Sequence, residues 1–161
     1  MSVLTDAMRD EIRGFLPRYP TKQAVVLPAL HVVNETLRHV PQEAIPEIAA
    51  MLELAPAEVQ DTLSFYGFFK SAPMGRLRCW VCRSISCSLR GGEEVLAALS
   101  EKLGVEPGGK TADGAITLEF AECLGACDHA PAALAGETLY KNINVDDVDR
   151  VIEELRTQAS A

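Results

Sequence analysis

The sequence holds no run approaching the ~20 apolar residues that a membrane-spanning helix needs, although 48% of its 161 residues are hydrophobic. With a mean hydropathy of +0.07 it reads as a soluble globular protein. It also lacks a GxGxxG turn and a phosphate loop, so nothing suggests that this chain binds a nucleotide itself. Met1 to Asp10 has no basic segment leading into an apolar core and is acidic early. That composition predicts neither a secretory signal nor a mitochondrial transit peptide. The expected home is a bacterial-type cytoplasm, where thiols stay reduced. Basic residues are outnumbered, 15 Lys and Arg against 23 Asp and Glu, for a net charge of −8. Such a surface is a poor partner for nucleic acid.

The scarcity of charge of one sign is local as well as global. Between Asp61 and Glu93 there is no acidic residue, while Lys70, Arg76, Arg78, Arg83 and Arg90 fall inside that window. The window contains Cys82-Arg83-Ser84-Ile85-Ser86-Cys87, a CxxxxC pair followed by Gly91-Gly92. A second pair, Cys123-Leu124-Gly125-Ala126-Cys127, is CxxxC and lies among Glu119, Glu122 and Asp128. An anionic metal centre held there would have its reduced state favoured by Arg83 and Arg90 and opposed by Glu122 and Asp128. Taken singly, each of these charges reads as a solvated loop residue.

At this length the chain is one ordinary domain or two small ones, with core enough to fold without disulfides. The expected division is a helical bundle over 1–72 and an α/β domain over 73–161. In the first part apolar residues recur at helical spacing over 5–16, 22–39, 42–54 and 56–66. Thr5 or Asp6 can cap the first helix, and Pro17 and Pro20 stop it. Ser64-Phe65-Tyr66-Gly67-Phe68-Phe69 reads first as a core plug between the domains and second as a docking surface. After the linker-like 71–75 the period changes to two. Strands are expected over 76–81, 115–120, 132–135 and 138–141, with helices over 92–103 and 145–157. The order β-α-β-β-β-α is that of a thioredoxin-like domain. Ala132-Ala133-Leu134-Ala135-Gly136 is conspicuously small in side chain.

Five cysteines without a signal argue against a disulfide scaffold. Cys79-Trp80-Val81-Cys82 is formally CxxC, but a strand there spans ~10 Å and points the two side chains to opposite faces. A disulfide needs Cα atoms within about 7 Å, so Cys79 reads as a small core residue. A structural zinc site is a second possibility, although zinc knuckles are usually tight CxxC pairs. A [2Fe–2S] cluster takes two thiolates per iron and backbone N–H groups close to its sulfurs. Ser84, Ser86, Ser88, Gly91, Gly125 and Ala126 allow that close approach. Plant-type ferredoxin spacing is absent, and a Rieske centre would need two histidines where only His129 is near. His31 and His39 read as structural or solvated.

VCRSISCSLRGGEEVL and ECLGACDHAP resemble the cluster motifs of the thioredoxin-like [2Fe–2S] subunit of respiratory complex I, the NuoE type. The likeness extends to RYPTKQAVVLPALH, SFYGFF and LGVEPGGKTADGAITL, nearly the whole chain. It implies an N-terminal helical bundle followed by a thioredoxin-like [2Fe–2S] ferredoxin domain. It implies Cys82, Cys87, Cys123 and Cys127 as cluster ligands, with Cys79 outside the motif and no complete active site in this chain alone. It further implies a peripheral-arm electron-transfer subunit of an NADH:quinone oxidoreductase. The partner would be a NuoF-type flavoprotein that carries FMN and oxidises NADH. Similar subunits occur in NAD-dependent formate dehydrogenases and NAD-linked bidirectional hydrogenases, and these are the alternatives. A zinc-stabilised adaptor without a redox role is the more distant one.

Overall fold

The computed structural model describes residues 2–160. The chain forms two compact units, Met1–Pro73 and Met74–Ala161. The first is all helical: α1 (Asp6–Phe15), α2 (Val26–Leu37), α3 (Ala44–Leu52) and α4 (Pro56–Phe65). The Thr5 hydroxyl accepts the Met8 N–H at 3.2 Å and caps α1. Short 3₁₀ turns, Leu16–Arg18 and Gln23–Val25, lead out of α1 and into α2. The helix within 22–39 is thus shorter than the apolar periodicity suggests. Two helices end on residues in the left-handed region, Arg38 after α2 and Glu53 after α3. Ile12, Val25, Leu30, Val33, Ile48 and Leu52 are fully buried together. Each such side chain removed from water contributes about 1.5–3 kcal/mol.

The aromatic segment departs from expectation. Only Phe69 is buried, in the helical unit's core. Phe65 is 79% exposed, and Tyr66 and Phe68 are exposed as well. The rings pack edge to face along the surface, Phe65 on Tyr66 at 5.1 Å and Phe68 on Phe69 at 5.4 Å. The segment is therefore not a core plug. Phe65 is the last residue of α4, Tyr66 leaves the helix in extended conformation, and only at Phe69 does a ring of this segment enter the core. His31 joins the same ring cluster, 5.0 Å from Phe69. His39 places Nδ1 2.8 Å from the Leu37 carbonyl.

The second unit is a four-stranded mixed sheet in the order β2-β1-β3-β4. Its strands are β1 (Leu77–Cys82), β2 (Ile116–Ala121), β3 (Ala133–Ala135) and β4 (Thr138–Tyr140). β1 runs parallel to β2 and antiparallel to β3, and β3 and β4 form a hairpin. Between β1 and β2 lie a one-turn helix, α5 (Ile85–Ser88), and α6 (Gly92–Leu103). The last helix, α7 (Val148–Ser160), follows a 3₁₀ turn over Val145–Asp147. Asn144 caps that turn by accepting the Asp146 N–H at 2.9 Å.

Alternation decides the core. Leu77, Cys79 and Val81 share one buried cluster with Val95 and Leu99 of α6 and Leu155 of α7. The outer edge of β2 is covered by the turn-rich 105–114 segment. Gly108 N–H donates to the Leu118 carbonyl at 2.7 Å and Thr111 N–H to that of Ile116 at 2.8 Å. That pairing blunts an edge that would otherwise invite another strand.

Candidate metal centre

Parallel pairing brings the two cysteine motifs to one place. Cys82 ends β1 opposite Ala121, which ends β2. One residue further, the Arg83 N–H still donates to the Ala121 carbonyl at 2.9 Å. Neighbouring parallel strands point their carboxyl ends the same way, so both turns leave the sheet at one edge.

The first turn enters α5 through an extended Ser84 and places Cys87 within that single helical turn. Gly91, at φ +90°, then redirects the chain into α6. Gly92 sits hard against the motif: a Cβ there would lie 2.8 Å from the Cys87 carbonyl oxygen and 3.1 Å from that of Cys82. The second turn uses Gly125 at φ +73°. It ends in a 3₁₀ turn, Cys127–His129, followed by a cis Ala130–Pro131 bond.

The sulfurs come as two pairs. Cys82 and Cys87 are buried and Cys123 and Cys127 exposed. The Cys82 and Cys87 thiols are hydrogen-bond neighbours. Cys123 Sγ and Cys127 Sγ are 3.9 Å apart. The pairs are close enough for Cys127 to act electrostatically on Cys87 and to feel Cys82. Among the described residues, no three His, Cys, Asp or Glu side chains are gathered to hold one metal ion. Two pairs of thiols match a two-iron centre, which asks for two thiolates at each iron.

Backbone and hydroxyl donors converge on these sulfurs. Gly125 N–H reaches Cys123 Sγ at 3.4 Å. The N–H groups of Leu124 and Ser84 face Cys82, that of Ala132 faces Cys87, and the Ser86 hydroxyl faces Cys127. Burial pushes the Cys82 thiol pKa up, but the Leu124 and Ser84 donors together with the Cys87 hydrogen bond leave it below the ordinary value. Burial and then the neighbouring Cys82 raise that of Cys87. Cys123 raises that of Cys127, chiefly by hydrogen bonding. Donors aimed at sulfur stabilise the thiolate form that metal ligation requires.

The run of alanines now has a reason. Ala126, Ala130 and Ala132 are buried against Cys82 and Cys87. Ala132 offers its N–H to Cys87 while its carbonyl accepts the Cys82 N–H at 3.0 Å. Ala133 and Ala135 are fully buried in the sheet core. Small side chains let this backbone come that near to the sulfurs.

Cys79 lies apart. It is fully buried in the sheet core, and burial pushes its thiol pKa up to about 12. Its neighbour Trp80 lies beneath the Arg78 guanidinium at 4.5 Å. His129 places Nε2 3.4 Å from the Asp128 carboxylate. Arg83, half exposed on its loop, pairs with the exposed Glu122. The sequence signal for that pair is an arginine just after one motif's first cysteine and a glutamate just before the other's.

The model of the thioredoxin-like [2Fe–2S] ferredoxin family matches residues 12–156. The chain belongs to that family. A [2Fe–2S] cluster is accordingly its cofactor, and four soft thiol donors in two pairs fit that group. An NADH-quinone oxidoreductase component of Rhizobium meliloti (strain 1021) is 35% identical over 149 residues, 92% of this chain and 89% of that relative. The HndA component of the NADP-reducing hydrogenase of Solidesulfovibrio fructosivorans is 29% identical over 153 residues, 95% of this chain and 90% of that one. Among solved structures, an air-oxidised NAD⁺-reducing [NiFe]-hydrogenase superposes with a TM-score of 0.69 at 28% identity. That match covers 83% of this chain but only 23% of the hydrogenase chain. This family member is thus similar over most of its length to components of multi-subunit oxidoreductases. None of its described helices is long and apolar enough to cross a membrane.

Proposed function

We propose that this chain is the one-electron carrier of an NADH:quinone oxidoreductase, with its [2Fe–2S] cluster held by Cys82, Cys87, Cys123 and Cys127. Its partner is a NuoF-type flavoprotein that binds FMN and oxidises NADH, and the pair sits in the peripheral arm on the cytoplasmic side. The observation that carries the reading is the delivery of two thiol pairs, from the ends of two parallel strands, into a ring of N–H donors. The cluster supplies storage of a single electron. The chain's own residues hold the sulfurs, exclude bulky side chains from them and set the local field. Likeness to the Rhizobium meliloti protein over 89% of its length supports this choice of complex.

The test is anaerobic purification followed by iron, sulfide and EPR measurement. The expected result is two irons and two sulfides per chain and a rhombic signal on reduction. Stoichiometric zinc without labile sulfide would overturn it. Cys123→Ser should abolish or alter the signal; an unchanged spectrum would remove Cys123 from the ligand set. The superposition on the NAD⁺-reducing hydrogenase favours a second reading, a component of an NAD-linked hydrogenase. Pull-down from the native cell separates the two: quinone-reductase membrane subunits in one case, a nickel–iron protein in the other.

A further inference from the structure

Three ties run from the first cysteine turn to one residue of the second. The Arg83 guanidinium grips the Glu122 carboxylate through two of its nitrogens, Nε at 3.0 Å and Nη2. The Ser84 hydroxyl donates to the Glu122 carbonyl oxygen. Cys82 Sγ donates to the same oxygen at 3.3 Å. That last bond disappears when the thiol gives up its proton to bind metal, which leaves Arg83 and Ser84 to keep the turns together. Arg83 is also fixed from below, its guanidinium 3.8 Å from the Phe120 ring centroid. Two guanidinium nitrogens on one carboxylate oxygen, with a ring face beneath, constrain Arg83 more than a single-contact surface pair would.

The placement matters because Arg83 follows Cys82 directly and Glu122 precedes Cys123 directly. Each partner is one peptide unit from a sulfur-bearing residue, and the two lie on different turns. We propose that Arg83 is a positioning residue whose ion pair with Glu122, seated on Phe120, fixes the spacing between the Cys82–Cys87 and Cys123–Cys127 pairs. It acts through the ligands and touches no reacting atom. The proposal rests on the ligand assignment made above. The pair is also electrically neutral, so it clamps the turns without adding net charge beside an anionic cluster.

The test uses the full chain purified with its cluster. Arg83→Gln, Glu122→Gln, Arg83→Lys and the exchanged pair Arg83→Glu with Glu122→Arg are compared with the parent. Cluster loss to an iron chelator, EPR g values and reduction potential are measured, with circular dichroism as the check on folding. Both single Gln variants should lose the cluster roughly three- to tenfold faster. Their potentials should move in opposite directions, down when the cation is lost and up when the anion is lost. Arg83→Lys should fall between, since it keeps the charge and loses the fork. The exchanged pair should recover part of the slow loss. Parental loss rate and g values in both Gln variants would overturn the proposal while leaving the cluster itself established. A parent chain without iron and sulfide would instead overturn the ligand assignment.

Discussion

Gly92→Ala probes how closely α6 must approach the cysteine turn. An alanine Cβ would sit 2.8 Å from the Cys87 carbonyl oxygen and 3.0 Å from its carbonyl carbon, where ordinary contact begins near 3.4 Å. The overlap is therefore about 0.6 Å at its worst, and every atom it meets is backbone of Cys82 or Cys87. Backbone cannot rotate away as a side-chain tip can. Such overpacking costs about 1–3 kcal/mol. Alanine's better helix propensity offsets up to ~1 kcal/mol of that. A net loss of about 1–2 kcal/mol corresponds to a fall of about 4–16 °C in melting temperature for a unit the size of Met74–Ala161. Because the clash falls on the turn that carries Cys87, iron and sulfide content should drop alongside. Gly14→Ala is the control: Gly14 lies in α1 with nothing within 4 Å of its would-be Cβ. It should gain up to ~1 kcal/mol and keep its iron. Thermal melts and metal analysis on the two variants decide the matter. Full iron with an unchanged melt in Gly92→Ala would refute the idea that close approach at this glycine shapes the turn.

Cys79 should resist alkylation in the folded chain and react only on unfolding, because it is fully buried and its thiol is held far from ionisation. Cys79→Ser should cost about 1–3 kcal/mol by burying a hydroxyl, yet leave the EPR spectrum as it was; loss of the signal would make Cys79 part of the centre after all. In the helical unit, the Glu47 carboxylate accepts the Val3 N–H at 2.7 Å, the Leu4 N–H at 3.3 Å and the Ser2 hydroxyl at 2.7 Å, and it pairs with Arg9. Burial works against its charge, but these donors win and hold its pKa below the usual 4.5. A depressed folded-state pKa means stability that is present above the unfolded value and lost as pH falls through the folded one. Glu47→Gln should therefore destabilise the chain by about 1–3 kcal/mol at pH 7, with the gap closing as pH falls below the usual carboxylate value; urea melts showing a gap independent of pH would contradict this.

Much of this is legible in the chain. The two cysteine pairs, their glycine and serine surroundings and the change of apolar period near residue 73 all identify a metal-holding α/β domain beside a helical one. Alternation alone sets the strands one residue early, at 76–81 and 115–120, where the structure has Leu77–Cys82 and Ile116–Ala121. That shift places Cys82 on the strand itself and gives it a ladder position opposite Ala121. The turn of helix at Ile85–Ser88 leaves no trace in the pattern because four residues are too few to show a period. The aromatic run misleads because hydrophobic content says nothing about which of its rings reaches the core.

The chemistry on offer is written in the chain: which thiols are available and how they are spaced. Local pattern carries that, because side-chain type and short-range spacing are properties of the chain alone. The partners of those residues follow from the fold. Parallel pairing of β1 with β2 puts residues about 40 positions apart at one sheet edge, so Arg83 meets Glu122, and antiparallel pairing of β1 with β3 brings Ala132 beside the first cysteine turn, where its N–H faces Cys87. Those contacts depend on strand register, and register is settled by which faces bury together rather than by any one segment.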